Sequence, residues 1–310
     1  HFSLGQREGE VKKLIYFWKK MIITKISGGI GNQMFQYALA KSLSKRKDDA
    51  FKMDISFYSK QVLRKFELNM FNIEENYATN KDINLYAGKE NILFKLKRKL
   101  NLSLNRPISY FSEKKHSIFD ENVFKYKNTI YLDGYWQNQK YFQNIKDDLI
   151  QDFTLRDSLS DSSKGYLRKI KESNSISMHI RRGDYVHDSH TNSVHGVCGL
   201  DYYENTARYC DDKISNATYF IFSDDIQWCK NNLKFIENKI FIEKSKNALE
   251  DLELMKNCKH NIIANSTFSW WGAWLNPNPE KIILGPKKWF LDDVLENHAK
   301  DLVPSSWIRI

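Results

Sequence analysis

Short apolar runs that stop abruptly at a polar or glycine-rich turn, then give way to helical spacing, recur along this chain and restrict what it can become. "MIITKIS" (21–27) is β-branched and leads into Gly28, Gly29 and Gly31, after which Met34, Phe35, Leu39 and Leu43 fall at helical spacing. "AFKMDI" (50–55) reads as the next strand and completes a βαβ unit. A second series opens at "SISMHI" (175–180), continues through "ATYFIFSDD" (217–225) and "NIIANSTFSWWGAWL" (261–275), and closes at "KIILGP" (281–286). Strands alternating with helices predict parallel sheets covered on both faces, an α/β fold built from Rossmann-like units.

The polar stretch "RDSLSDSSK" (156–164) separates the two series, so the expected division is 21–158 and 159–310, with 1–20 an upstream segment before Met21. Residues 60–150 blur into lysine- and asparagine-rich pattern and carry no interpretable motif. Within them "LFKLKRKL" (93–100) reads as a solvated basic face or as contact with an anionic membrane. The formal charge of +10 is scattered rather than patterned, which suits a soluble surface and small anionic ligands better than nucleic acid. Four cysteines without C-x-x-C spacing fit a reducing compartment and argue against structural zinc. No apolar run approaches the roughly 18 to 20 residues that span a bilayer.

In open parallel sheets, ligands bind at the carboxyl ends of the strands, and the residues with chemistry gather there. "GGIGNQ" places Gly29, Gly31, Asn32 and Gln33 at a strand-to-helix turn, although its spacing is that of neither common phosphate loop. His179, Arg181, Arg182 and Asp184 leave the strand at 175–180; strand alternation sends the two arginines to opposite faces, so one meets a phosphate and the other holds Asp184. Asp224 and Asp225 are ligands for a base or ribose, or else the cap of the helix that follows. Ser266, Thr267 and Ser269 open the last major helix, whose free N–H groups suit a diphosphate. Tyr135 and Trp136, in the aromatic "YLDGYWQNQKYF" (131–142), either stack on a sugar or pack inside. His187, His190 and His195 match no familiar zinc spacing, and the absence of D-x-D predicts that no metal is required.

Together "GGIGNQMFQYALAKSL", "HIRRGDY" and "NSTFSWWGAWL" resemble the bacterial α-1,2-fucosyltransferases of glycosyltransferase family 11, from about Met21 to the end of the chain. The resemblance implies a GT-B-like architecture, two Rossmann-like parallel-sheet domains facing across a cleft. It implies an inverting transfer of L-fucose from GDP-β-L-fucose to the 2-hydroxyl of a terminal β-galactoside; another nucleotide sugar or linkage is the alternative. Carried over, Arg181 binds the donor diphosphate with Ser266, Thr267, Ser269 and the Gly29–Gly31 turn, while His179 and Asp224 read the guanine. Asp184 orients the arginines. The α-1,6 relatives carry a glutamate further along that loop where this chain has none, which leaves Asp188, His187 and His190 as substitutes near the acceptor. The implied setting is bacterial and cytoplasmic, at the inner face of the membrane where the acceptor glycan is lipid-linked.

Overall fold

The computed structural model describes residues 20–60, 64–89, 96, 99, 100, 106–183 and 189–310, with backbone alone at 60 and 189–191. Two wholly parallel sheets make up the fold. The first holds β1 (Met21–Lys25), β2 (Ala50–Asp54), β3 (Tyr110–Ser112) and β4 (Ile130–Asp133) in the order β2-β1-β4-β3. The second holds β5 (Asn174–Ile180), β6 (Ala217–Ser223), β7 (Lys239–Phe241), β8 (His260–Ile262), β9 (Ile283–Gly285) and β10 (Ile308–Arg309) in the order β10-β9-β8-β5-β6-β7. Each sheet therefore has strands distant in sequence side by side at its centre, β1 beside β4 in the first and β5 beside β8 in the second. Such switch points open a crevice at the strand ends, and the two crevices face one another in a GT-B-like arrangement.

Among the described helices are α1 (Ile30–Lys47), α2 (Asp161–Lys171), α3 (Ile226–Asn232), α4 (Ala248–Asn257) and α5 (Thr267–Leu275), of which α1, α4 and α5 line the cleft. α1 is buried around most of its circumference, so its polar residues must find partners inside. Gln36 does so by accepting from Ser27 N (2.8 Å) and donating to Gly134 O (3.0 Å). Gln33 donates to Gly28 O (3.1 Å) and Lys65 O (2.8 Å) and accepts from Glu67 N (3.0 Å). The two glutamines thus lace three loops to one helix.

α5 follows β8 in the second half yet packs on α1 of the first. Trp270 and Trp271 are fully buried, with ring centroids 4.6 and 4.9 Å from Phe35, and Trp271 stacks on Phe142 at 5.3 Å. Each tryptophan N–H of this helix is satisfied: Trp270 by Leu302 O (2.8 Å), Trp271 by Gly31 O (3.0 Å) and Trp274 by Gln139 Oε1 (3.2 Å). One hydrophobic core consequently runs through both halves. No described helix is long and apolar enough to cross a membrane.

Candidate functional site

A cleft of about 820 Å³ lies between the carboxyl ends of the two sheets, and both helix N-termini at the switch points open into it. α1 begins at Ile30 behind Gly29, and α5 at Thr267 behind Ser266; neither preceding residue makes a side-chain cap. Their first N–H groups are left for another partner, in a region where two helix dipoles add positive potential. The two helices touch where they start. A Cβ on Gly31 would stand 2.5 Å from Thr267 Oγ1 and 2.7 Å from its carbonyl carbon, so only glycine lets the halves meet here.

Arg181 enters the cleft from the end of β5, held by an ion pair from Nη1 to Asp224 Oδ2 at 2.7 Å. The other oxygen of Asp224 accepts from the backbone N–H groups of Arg182 (2.9 Å) and Gly183 (3.0 Å). A Cβ on Gly183 would fall 2.5 Å from that carboxylate, which accounts for the glycine after the arginine pair. Asp224 lines the cleft, but its oxygens are committed to setting the loop and the guanidinium. Arg182 turns away: its Nε lies 3.3 Å from Asp225 Oδ2 and its guanidinium 4.1 Å above the Trp228 ring. Asp225 also caps α3, accepting from Trp228 N at 3.0 Å, so it is a structural residue rather than a cleft residue. The partner expected for Arg182 was Asp184; among the described residues that partner is Asp225.

His179 lines the cleft beside Phe268, whose ring centroid is 5.7 Å away. Burial, reinforced by the charge of Arg181, pushes its pKa down to about 3, so the ring is neutral, and its Nδ1 has no hydrogen-bond partner among the described residues. A second atom without a partner among the described residues lies on the same wall, Oδ1 of Asp251 in the first turn of α4. Burial raises the Asp251 carboxyl to about 6, aided by the neighbouring charge of Glu250 and opposed by a hydrogen bond from Ser245. Its neighbour Glu250 faces the other way. Burial would raise its carboxyl too, but hydrogen bonds from Lys246 N (2.7 Å), Ser160 N (2.7 Å), Ser160 Oγ (2.8 Å) and Ser163 Oγ (2.7 Å) outweigh that and hold it at about 2. Glu250 thereby pins the segment between the halves to the base of the helix that presents Asp251.

The structure brings Gly29, Gly31, Asn32, Tyr135, His179, Arg181, Asp224, Ser266 and Thr267 to one cleft. Four other described candidates do not reach it. The Gln33 amide is consumed by the loops around α1, Asp225 serves α3 as just described, and Ser269 is buried with its hydroxyl on Ser266 O (3.3 Å). Trp136, one of the two expected stacking residues, is 0% exposed and packs edge-on against Tyr141 at 5.9 Å. Asp184, His187 and Asp188 lie outside the described residues, as does the side chain of His190. Sequence reasoning missed Asp251, which reads as an ordinary acid in a helix first turn, and a group on the first half comprising Arg64, Lys65, Glu67, His116 and Gln137. Among the described residues, no group of three or more His, Cys, Asp or Glu is placed to hold a metal ion.

Residues 21–310 match the model of glycosyl transferase family 11. An alpha-1,2-colitosyltransferase of Escherichia coli is 34% identical over 296 residues, spanning 94% of this chain and 99% of its own. The O-antigen biosynthesis glycosyltransferase WbnK of Escherichia coli is 35% identical over 309 residues, spanning 92% and 99%. Among solved structures, the fucosyltransferase NodZ from Bradyrhizobium superposes with a TM-score of 0.46 at 14% identity, over 82% of this chain and 91% of that one.

Proposed function

This chain belongs to glycosyl transferase family 11, and from that premise we propose that it transfers L-fucose from GDP-β-L-fucose to the 2-hydroxyl of a terminal β-galactoside, with inversion. The observation that carries the reading is the seat where two uncapped helix N-termini meet at Gly31 and Thr267, with Arg181 in the same cleft. A diphosphate fits that seat because N–H groups and a guanidinium converge on it from both halves.

The chemistry follows from charge. The acceptor oxygen bonds to the anomeric carbon as the bond from that carbon to the β-phosphate oxygen breaks, and the electron pair leaves with GDP. Arg181 and the helix N–H groups meet the negative charge where it develops, each donor worth roughly 2.7 to 4 kcal/mol by analogy with oxyanion-hole deletions. Asp188, His187 and His190 stand as the candidates to receive the hydroxyl proton. At the other end of the donor, the carboxylate of Asp251 suits guanine, whose N1–H and exocyclic amino group present two donors side by side. The Nδ1 of neutral His179, without a partner among the described residues, offers a donor or an acceptor according to tautomer on the same wall. We propose Asp251 for the base-reading role expected of Asp224, because Asp224 is already bonded through both oxygens.

Colitose in place of fucose is the second reading, supported by the colitosyltransferase relative. The O-antigen relative supports a lipid-linked glycan acceptor and a cytoplasmic site of action, with peripheral contact at the membrane face. We also propose that no metal is needed, Arg181 and the helix termini supplying the positive charge. The test offers GDP-fucose, GDP-colitose, GDP-mannose and UDP-galactose with a β-galactoside acceptor, with and without EDTA. The expected outcome is GDP release from a GDP-deoxyhexose alone, an α-1,2 product by NMR and no effect of EDTA. Turnover of the UDP-sugar alone, or a bond to another hydroxyl, would refute the donor or linkage reading. Loss of activity in EDTA would refute the metal-free one.

A further inference from the structure

The loop after β4 is held more tightly than a surface connection requires. Glu113 accepts from Tyr135 N (2.8 Å), Trp136 N (3.3 Å) and Ser117 N (3.2 Å), and Trp136 anchors the loop in the core at a positive φ of 58°. The result is a fixed pair on the first-half wall of the cleft: Tyr135, 38% exposed with its ring edge-on to His116 at 5.7 Å, and Gln137, only 5% exposed. Gln137 Nε2 donates to Asn32 Oδ1 at 2.8 Å, which orients the amide, while Oε1 has no partner among the described residues.

A buried carbonyl without a donor is costly and uncommon, and such atoms persist where a ligand completes them. The ligand here must bring an O–H or N–H to a neutral amide beside an aromatic face. That combination suits a pyranose, with its C–H face on the ring and a hydroxyl on the amide. Apart from the start of α1, the elements proposed for the donor's phosphates and base (Arg181, Ser266, His179 and Asp251) belong to the second half, so a sugar on the Tyr135 wall is assigned to the acceptor. We infer that Gln137 is a specificity-determining residue for the acceptor: Oε1 accepts a hydrogen bond from a ring hydroxyl other than the attacking one, and Asn32 holds the amide in place. This rests on the glycosyl-transfer reading above.

The test measures kcat/KM for a β-galactoside and its 3-, 4- and 6-deoxy analogues, in the wild type and in Gln137→Met, using whichever GDP-sugar the wild type turns over. In the wild type one analogue should lose about 10- to 100-fold against the parent, the effect of one missing substrate hydroxyl on a buried acceptor. Gln137→Met should lower the parent to the level of that analogue and abolish the difference between the two. The inference fails if Gln137→Met keeps the full discrimination, or if it alters the preference among GDP-sugars and leaves acceptor preference intact. Should Gln137→Met not fold, the wild-type series still decides: a loss confined to one analogue supports the inference, and three analogues within twofold of the parent overturn it. A wild type that transfers to no galactoside from any GDP-sugar refutes the glycosyl-transfer reading itself, and this inference with it.

Discussion

Replacing Gly31 by alanine probes the meeting of the two halves with a single methyl group. The added carbon would stand 2.5 Å from Thr267 Oγ1, 2.7 Å from the Thr267 carbonyl carbon and 2.8 Å from its Cβ. Rotating the Thr267 side chain relieves the first contact but not the second, which is backbone. Carbon contacts settle near 3.5 to 4.0 Å, so the starts of α1 and α5 must separate by about 1 Å. That separation stretches the Trp271 to Gly31 hydrogen bond, now 3.0 Å, and costs about 1 to 3 kcal/mol as overpacking. The catalytic cost is larger in proportion, since a 1 Å displacement of the groups that seat the diphosphate corresponds to about 100-fold in rate. Thermal unfolding followed by tryptophan fluorescence and the initial rate of GDP release give the two numbers. We expect Tm to fall by about 2 to 10 °C and kcat to drop about 100-fold in protein that is still folded at the assay temperature. Full kcat in a folded, destabilised variant would refute the claim that this contact seats the phosphates, and an unchanged Tm would refute the packing argument itself. Thr267→Ala in the Gly31→Ala background should not restore activity, because the clash with the backbone persists.

Other perturbations separate binding from stability. Arg181→Ala should reduce transfer by at least about 100-fold with Tm nearly unchanged, measured by product formation; near-normal turnover would remove Arg181 from the leaving-group site. Asp251→Asn should weaken GDP binding and narrow its advantage over ADP in calorimetric titration. Wild-type affinity should rise as pH climbs through about 6, where the carboxyl ionises, and the variant should show no such rise. Because burial raises this carboxyl above its unfolded value, folding is favoured most while it is protonated and loses that advantage as pH rises towards 6. Asp251→Asn should therefore gain about 1 to 3 kcal/mol in denaturant unfolding at pH 7. Glu250 behaves oppositely. Its depressed carboxyl contributes stability that is complete above about 4.5 and lost as pH falls towards about 2, on the order of 3 kcal/mol. Glu250→Gln should unfold more readily at neutral pH and show a shallower acid limb than the wild type; parallel curves would contradict the assignment.

The alternation of apolar runs and helical spacing made two strands of the first sheet and four of the second legible, and the strand-end rule pointed to Arg181, Gly31 and Thr267. Periodicity carries such information because a buried strand and an amphipathic helix each repeat within a few residues. The first-half wall of the cleft has no such repeat. Arg64, His116 and Gln137 lie on loops far apart in the chain, and their convergence depends on long-range bonds such as Gln33 to Lys65 and Gln137 to Asn32. Asp251 was hidden for a different reason: an acid in a helix first turn is what a helix dipole favours, so its sequence context hides the orphaned oxygen. Trp136 shows the converse. Its neighbours advertise a polar, aromatic surface, but a left-handed backbone turn folds the indole inward and leaves Tyr135 outside.

The aromatic seam between α1 and α5 also bears on the order in which the molecule can form. Trp271 and Gly31 are 240 residues apart in the chain, so α1 emerges from the ribosome long before the helix that covers it. Until then Phe35 and its neighbours face solvent or a temporary partner, a state prone to association and suited to chaperone capture. Refolding should be slow, since this closure joins distant segments before its contacts repay the entropy of the loop. A fragment ending near residue 158 would leave that seam permanently open, so expression of the first half alone should yield aggregate rather than a soluble domain.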